Sequence, residues 1–113
     1  MMLSVNEQNF TSVVLESSQP VLVHFWAPWC GLCRLITPFL LKVQSEWEGS
    51  LNIVSINADD NFRLANAYRL RSLPTVILFD RGKIVYRLEG FKGREDLMKI
   101  LELTKVNRFA HSA

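Results

Sequence analysis

Cys30 and Cys33 are the only sulfur nucleophiles in the chain, separated by two residues in Trp26-Ala-Pro-Trp-Cys-Gly-Leu-Cys33. A pair at this spacing can close and open a disulfide reversibly, or lend two thiolates to a metal. The setting favours the first. Upstream, Val21-Leu-Val-His-Phe-Trp26 reads as a buried strand, and downstream the apolar residues recur with helical period. A strand that delivers the pair to the first turn of a helix places one sulfur beside unpaired backbone N–H groups. There the positive end of the helix dipole favours a thiolate.

The elements that must position these sulfurs have to come from 113 residues, of which 49% are hydrophobic. This suffices for one domain spanning residues 1–113, with a real core. The longest apolar runs are strand-length and are interrupted by His24, Asp80 and prolines, so no membrane span is expected. The N-terminal Met1-Met-Leu-Ser-Val-Asn-Glu-Gln8 lacks the basic and apolar regions of a secretory signal, and a cytoplasmic location is expected. In a reducing compartment a lone cysteine pair points to catalysis or metal rather than to a structural staple. A net charge of +2 is too mild to imply nucleic acid as a partner. Arg34, Arg63, Arg69 and Arg71 fall near the cysteines or shortly before Pro74. They form either a basic rim that attracts acidic partners or ordinary solvated helix surface.

Asn6 can cap a first helix whose apolar face is Phe10, Val13 and Val14, ended by Ser17-Ser-Gln-Pro20. The strand Val21–Trp26 is apolar nearly throughout, which implies cover on both faces and a central place in a sheet. A second helix runs from about Cys30 to Trp47, with Ile36, Phe39, Leu40, Val43 and Trp47 in phase and Pro38 predicting a kink. Leu51–Asn57 reads as a strand and Phe62–Tyr68 as a short helix. Thr75–Asp80 and Lys83–Glu89 form a hairpin about Asp80-Arg-Gly82. A last helix covers about Gly93 to Lys105, and the tail 106–113 frays. With a short opening strand at Leu3–Val5, this order predicts a three-layer α/β/α domain around a central mixed sheet.

The chain resembles the thioredoxin family from about Asn6 to Lys105. The features that carry the likeness are Phe25-Trp-Ala-Pro-Trp-Cys-Gly-Leu-Cys33, Pro38, Asp59, Leu73-Pro74-Thr75, Gly82 and Gly90. The resemblance implies a thioredoxin fold and an enzyme that exchanges dithiol and disulfide with protein substrates, without a bound cofactor or metal. It implies that Cys30 attacks and Cys33 resolves. It implies a cis bond before Pro74, with the Leu73 backbone paired to an extended substrate segment. Trp29, Gly31, Leu32 and Gly90 would complete the substrate groove, Gly31 by relieving crowding around the incoming sulfur. Trp26 reads first as core packing. The implied partners are disulfide-bearing proteins and a thioredoxin reductase, met by a monomer with no membrane or nucleic-acid role.

Two departures from the family fall on the chemistry. Leu32 stands where proline is typical, restoring an N–H that can stabilise the Cys30 thiolate and make the disulfide more oxidising. His24 stands where a buried aspartate is typical, and the lysine that usually accompanies that aspartate is Ser55. A neutral imidazole can take a proton from Cys33, but it cannot oppose thiolate formation as a carboxylate would. A less reducing couple and a lower Cys30 pKa than in ordinary thioredoxins are expected. A different class of function stays open on the residues alone: a binding module that uses the two cysteines as a regulatory or metal-binding pair, with His24 or His111 as a further ligand.

Overall fold

The computed structural model describes residues 2–89 together with Glu95, Asp96, Met98 and Lys99. Five strands, β1 (Leu3–Ser4), β2 (Val21–Trp26), β3 (Asn52–Asn57), β4 (Thr75–Asp80) and β5 (Lys83–Glu89), form one sheet in the order β1-β3-β2-β4-β5. β2 is central, parallel to β3 and antiparallel to β4. Its place explains its sequence: a strand covered on both faces needs no polar alternation, and Val21 through Phe25 are all buried. Between β2 and β3 the chain crosses over through helix α1 (Gly31–Glu46). Parallel neighbours require such a connection.

Helices cover both faces. On one, Leu40 and Val43 of α1 pack with Ile36, Phe39 and Trp47 against Leu22, Ile53, Val76 and Leu78. On the other, Phe10 and Val14 pack with Leu64 of helix α2 (Phe62–Ala67) and with Tyr68, against Val23, Phe25, Ile56, Ile77 and Phe79. The three expected layers are present. Tyr68 lies against Phe10, Phe25 and Phe79 at ring-centroid separations of 5.6, 6.3 and 5.6 Å. This aromatic knot fixes the start of the segment that leads to Pro74.

The β4–β5 turn has Arg81 and Gly82 at φ 53° and 81°, both positive as a two-residue primed turn requires. A Cβ on Gly82 would also meet the Leu15 carbonyl oxygen at 2.9 Å, so space as well as torsion selects glycine there.

The first helix departs from expectation. Asn6 Oδ1 does accept from the N–H groups of Gln8 and Asn9, at 2.9 and 3.1 Å, as a cap would. The segment beyond it is a π-helical turn, Thr11–Leu15, in which the Glu16 N–H reaches the Thr11 carbonyl at 2.9 Å. The wider winding still buries Phe10 and Val14. β3 starts at Asn52 rather than Leu51, and β1 ends at Ser4. The helix expected over Gly93–Lys105, Gly90 and the tail 106–113 lie outside the described residues, apart from the four positions named above.

His24 sits in the middle of β2. Strand alternation turns it with Leu22 toward α1, since Val23 and Phe25 face the opposite core. Its side chain is only 1% exposed, and among the described residues neither Nδ1 nor Nε2 has a hydrogen-bond partner. Burial lowers its pKa from 6.5 to about 4, so the imidazole is neutral at pH 7. The unfolded chain therefore binds a proton at His24 that the folded chain refuses. Stability is full above pH 6.5 and falls as the pH drops toward about 4. The predicted loss from this group is about 3 kcal/mol. Urea unfolding across this range should show a decline steeper in the wild type than in His24→Leu by that amount. Parallel pH profiles would mean that the imidazole is solvated or partnered.

Candidate active site

The strand–helix junction after β2 builds the site. Beyond Trp26 the chain turns through Ala27-Pro-Trp29, and the Cys30 N–H donates to the Ala27 carbonyl at 3.0 Å. Cys30 is the N-cap of α1, with extended torsions (φ −87°, ψ 105°). An N-cap side chain must satisfy an orphan N–H of the first helical turn. Here sulfur does so: the Cys33 N–H donates to Cys30 Sγ at 3.1 Å. The donor to Cys30 Sγ in this structure is the Cys33 N–H, where the sequence points to Leu32. Cys30 and Cys33 are joined as a disulfide, with Cα atoms 5.3 Å apart. Both are buried, Cys33 more completely, at 1% exposure against 5% for Cys30.

Three contacts hold the junction. Arg34 Nη2 donates to the Pro28 carbonyl at 2.6 Å, binding the loop to α1. Thr37 Oγ1 donates to the Cys33 carbonyl at 2.8 Å, one turn before Pro38. Trp29 Nε1 donates to Asp59 Oδ2 at 3.0 Å, while Asn57 Oδ1 orders Asp59 by accepting from its N–H at 2.9 Å. Trp29 is otherwise 69% exposed, and this hydrogen bond fixes its ring at the residue preceding Cys30. This partnership was not legible in the sequence, because Trp29 and Asp59 are 30 positions apart and meet only through the fold.

The Leu73–Pro74 peptide bond is cis. Thr75, the first residue of β4, pairs across the sheet with Phe25 of β2, so the bond lies at the same sheet end as the cysteines. Thr75 Oγ1 closes the approach by donating to the Ser72 carbonyl at 2.7 Å. Pro74 is buried and Leu73 partly exposed. Arg87, which the sequence did not single out, braces this loop from β5: it donates to the Tyr68 carbonyl through Nη1 and to the Arg69 carbonyl through Nη2, the latter at 2.9 Å. Leu32 is half exposed on the first turn of α1, and a Cβ on Gly31 would meet no atom within 4 Å. The space above Gly31 is open.

Beneath the disulfide lies a cleft of about 300 Å³, whose lining includes His24, Trp26, Cys33, Thr37 and Ser55. Trp26 is thus a cleft wall, partly exposed, rather than a core residue alone. His24 and Ser55 are register partners on β2 and β3. The floor below the cysteines therefore carries an imidazole and a hydroxyl, Arg34 also lines the cleft, and among the described residues no carboxylate does. Among the described residues no three His, Cys, Asp or Glu side chains gather as a metal-ligand set.

Comparison with known proteins agrees with this geometry. The thioredoxin family model matches residues 1–103. A chloroplastic M-type thioredoxin of Chlamydomonas reinhardtii is 40% identical over 99 residues, covering 88% of this chain and 71% of that protein. Thioredoxin 1 of Nostoc sp. is 39% identical over 98 residues, or 87% of this chain and 92% of that one. A bifunctional thioredoxin reductase/thioredoxin of Mycobacterium leprae is 38% identical over 99 residues, which span 88% of this chain and 22% of the longer protein. With a disulfide whose first cysteine caps the helix after the central strand, and with these matches over most of its length, the chain belongs to the thioredoxin family and is a thiol–disulfide oxidoreductase.

Proposed function

We propose that this protein reduces protein disulfides through Cys30 and Cys33 and that its couple is less reducing than that of ordinary family members. The observation that carries this is the Cys30 sulfur at the helix N-cap, above a cleft in which the His24 imidazole is neutral and no carboxylate is found among the described residues. In the reduced protein the Cys30 thiolate attacks one sulfur of a substrate disulfide. A mixed disulfide forms and the other substrate sulfur leaves as a thiolate. Cys33, losing its proton, then attacks Cys30 Sγ; the second substrate sulfur departs, and two electrons have passed to the substrate. Leu73 backbone groups at the cis bond are suited to hold the substrate in extended form, and Trp29, Gly31 and Leu32 to line its path.

Replacing a buried carboxylate by a neutral imidazole removes a charge that opposes the thiolate. That stabilises the reduced form and raises the potential by about 30 mV for each 1.4 kcal/mol. His24 is a weak base for a thiol, because burial holds it near 4. Proton transfer from Cys33 becomes favourable only if imidazolium and thiolate form together as an ion pair in the shared cleft. The cytoplasm suits a pair that must be kept reduced, and a thioredoxin reductase is the natural electron donor. The Mycobacterium leprae relative, whose name joins both activities in one chain, supports that donor. The mechanism requires one copy of the chain.

Insulin reduction in the presence of dithiothreitol tests the activity. The wild type is expected to accelerate precipitation and Cys30→Ser to abolish the effect. Stoichiometric bound metal with no reduction would instead favour a binding module. Equilibration with glutathione buffers should show His24→Asp shifted to a more reducing potential, while His24→Asn keeps the wild-type potential but resolves mixed disulfides about tenfold or more slowly. If all three proteins share one potential and one resolution rate, His24 only packs.

A further inference from the structure

On the β5 side of the site a second cleft, of about 470 Å³, is lined by Arg69, Arg71, Arg87 and Glu89. Its charges are not equally available. Arg87 is committed: it donates to two loop carbonyls and pairs with Glu89 Oε1 at 2.6 Å. The side chains of Arg69 and Arg71 are exposed and make no hydrogen bond or ion pair among the described residues.

Position ties this cleft to the reacting sulfurs. Arg71 precedes Leu73 by two residues, and Glu89 pairs with Thr75, the residue after Pro74. Arg69 holds its φ of +50° as the left-handed residue that ends α2: its N–H donates to the Asn66 carbonyl at 3.1 Å and the Leu70 N–H to the Ala65 carbonyl at 3.0 Å, so the helix end sets this torsion. Two exposed guanidinium groups that line one cleft and have no side-chain partner among the described residues can take a carboxylate from outside the fold. We infer that Arg69 and Arg71 form a carboxylate subsite that selects protein disulfides flanked by Asp or Glu a few residues from the attacked cysteine. This rests on the oxidoreductase reading and adds the substrate class to it. An extended segment lying along Leu73 passes the mouth of the cleft, and Glu89, neutralised by Arg87, does not repel it.

Two peptide disulfides that differ only in Asp and Glu against Asn and Gln at the flanking positions test the inference, with turnover driven by dithiothreitol. Exposed charge pairs are worth little each, so kcat/KM should favour the acidic peptide by about threefold to tenfold at low salt. The preference should shrink toward parity near 1 M salt, where screening acts within about 3 Å. It should vanish in Arg69→Gln/Arg71→Gln and reverse toward a lysine-flanked peptide in Arg69→Glu/Arg71→Glu. Equal reduction of both peptides by the wild type, or a preference that survives in the glutamine variant, overturns the subsite and leaves the oxidoreductase intact. Failure to reduce either peptide overturns both.

Discussion

A backbone N–H at the start of α1 points at the Cys30 sulfur, and the rest of the site follows from that contact. Helix geometry leaves the first N–H groups without intrahelical acceptors, so an acceptor must be supplied at the N-cap. When the acceptor is a thiol, the stabilisation that would otherwise serve folding alone also lowers the energy of its anion. β2 is central so that the cap is placed at a rigid sheet end, and Arg34, Thr37 and Asp59 each tie down one part of the turn. The sulfur is held in position before any substrate arrives.

What lies below the sulfurs sets how strongly that anion is favoured. A charged pair buried under the sheet end would oppose it and would itself cost desolvation. This chain has His24 beside Ser55 instead, and both are uncharged at neutral pH. Among the described residues the two imidazole nitrogens have no partner in the interior, a cost of about 1–3 kcal/mol for a polar group of this kind. An apolar residue at this position would avoid that cost; the imidazole instead shares a cleft with Cys33.

Much of the fold was legible because local and global preferences agree. The unbroken apolar run Val21–Trp26 marked a central strand, and the phase of Leu40 and Val43 marked the buried face of α1. Asp80-Arg-Gly82 marked the hairpin, where the positive φ of residue 82 admits glycine readily. The π-helical winding at Thr11–Leu15 was not legible, since an apolar triplet at Phe10, Val13 and Val14 satisfies an ordinary helix equally well. At the site, spacing marked the two cysteines and the family likeness marked His24 and Pro74. The Trp29–Asp59 bond, the bracing by Arg87 and the cleft joining His24 to Cys33 had no local signal. They are made by residues distant in the chain, brought together by sheet register.

The account stands or falls on the acidity of one thiol in the reduced protein. The rate of Cys30 alkylation by iodoacetamide, followed from pH 5 to 10, reads it directly. An apparent pKa at least about one unit below the value near 8.5 of an unperturbed cysteine is predicted. A midpoint at 8.5 or above would contradict the proposal that the helix N-terminus and a floor with a neutral imidazole in place of a carboxylate together hold a thiolate.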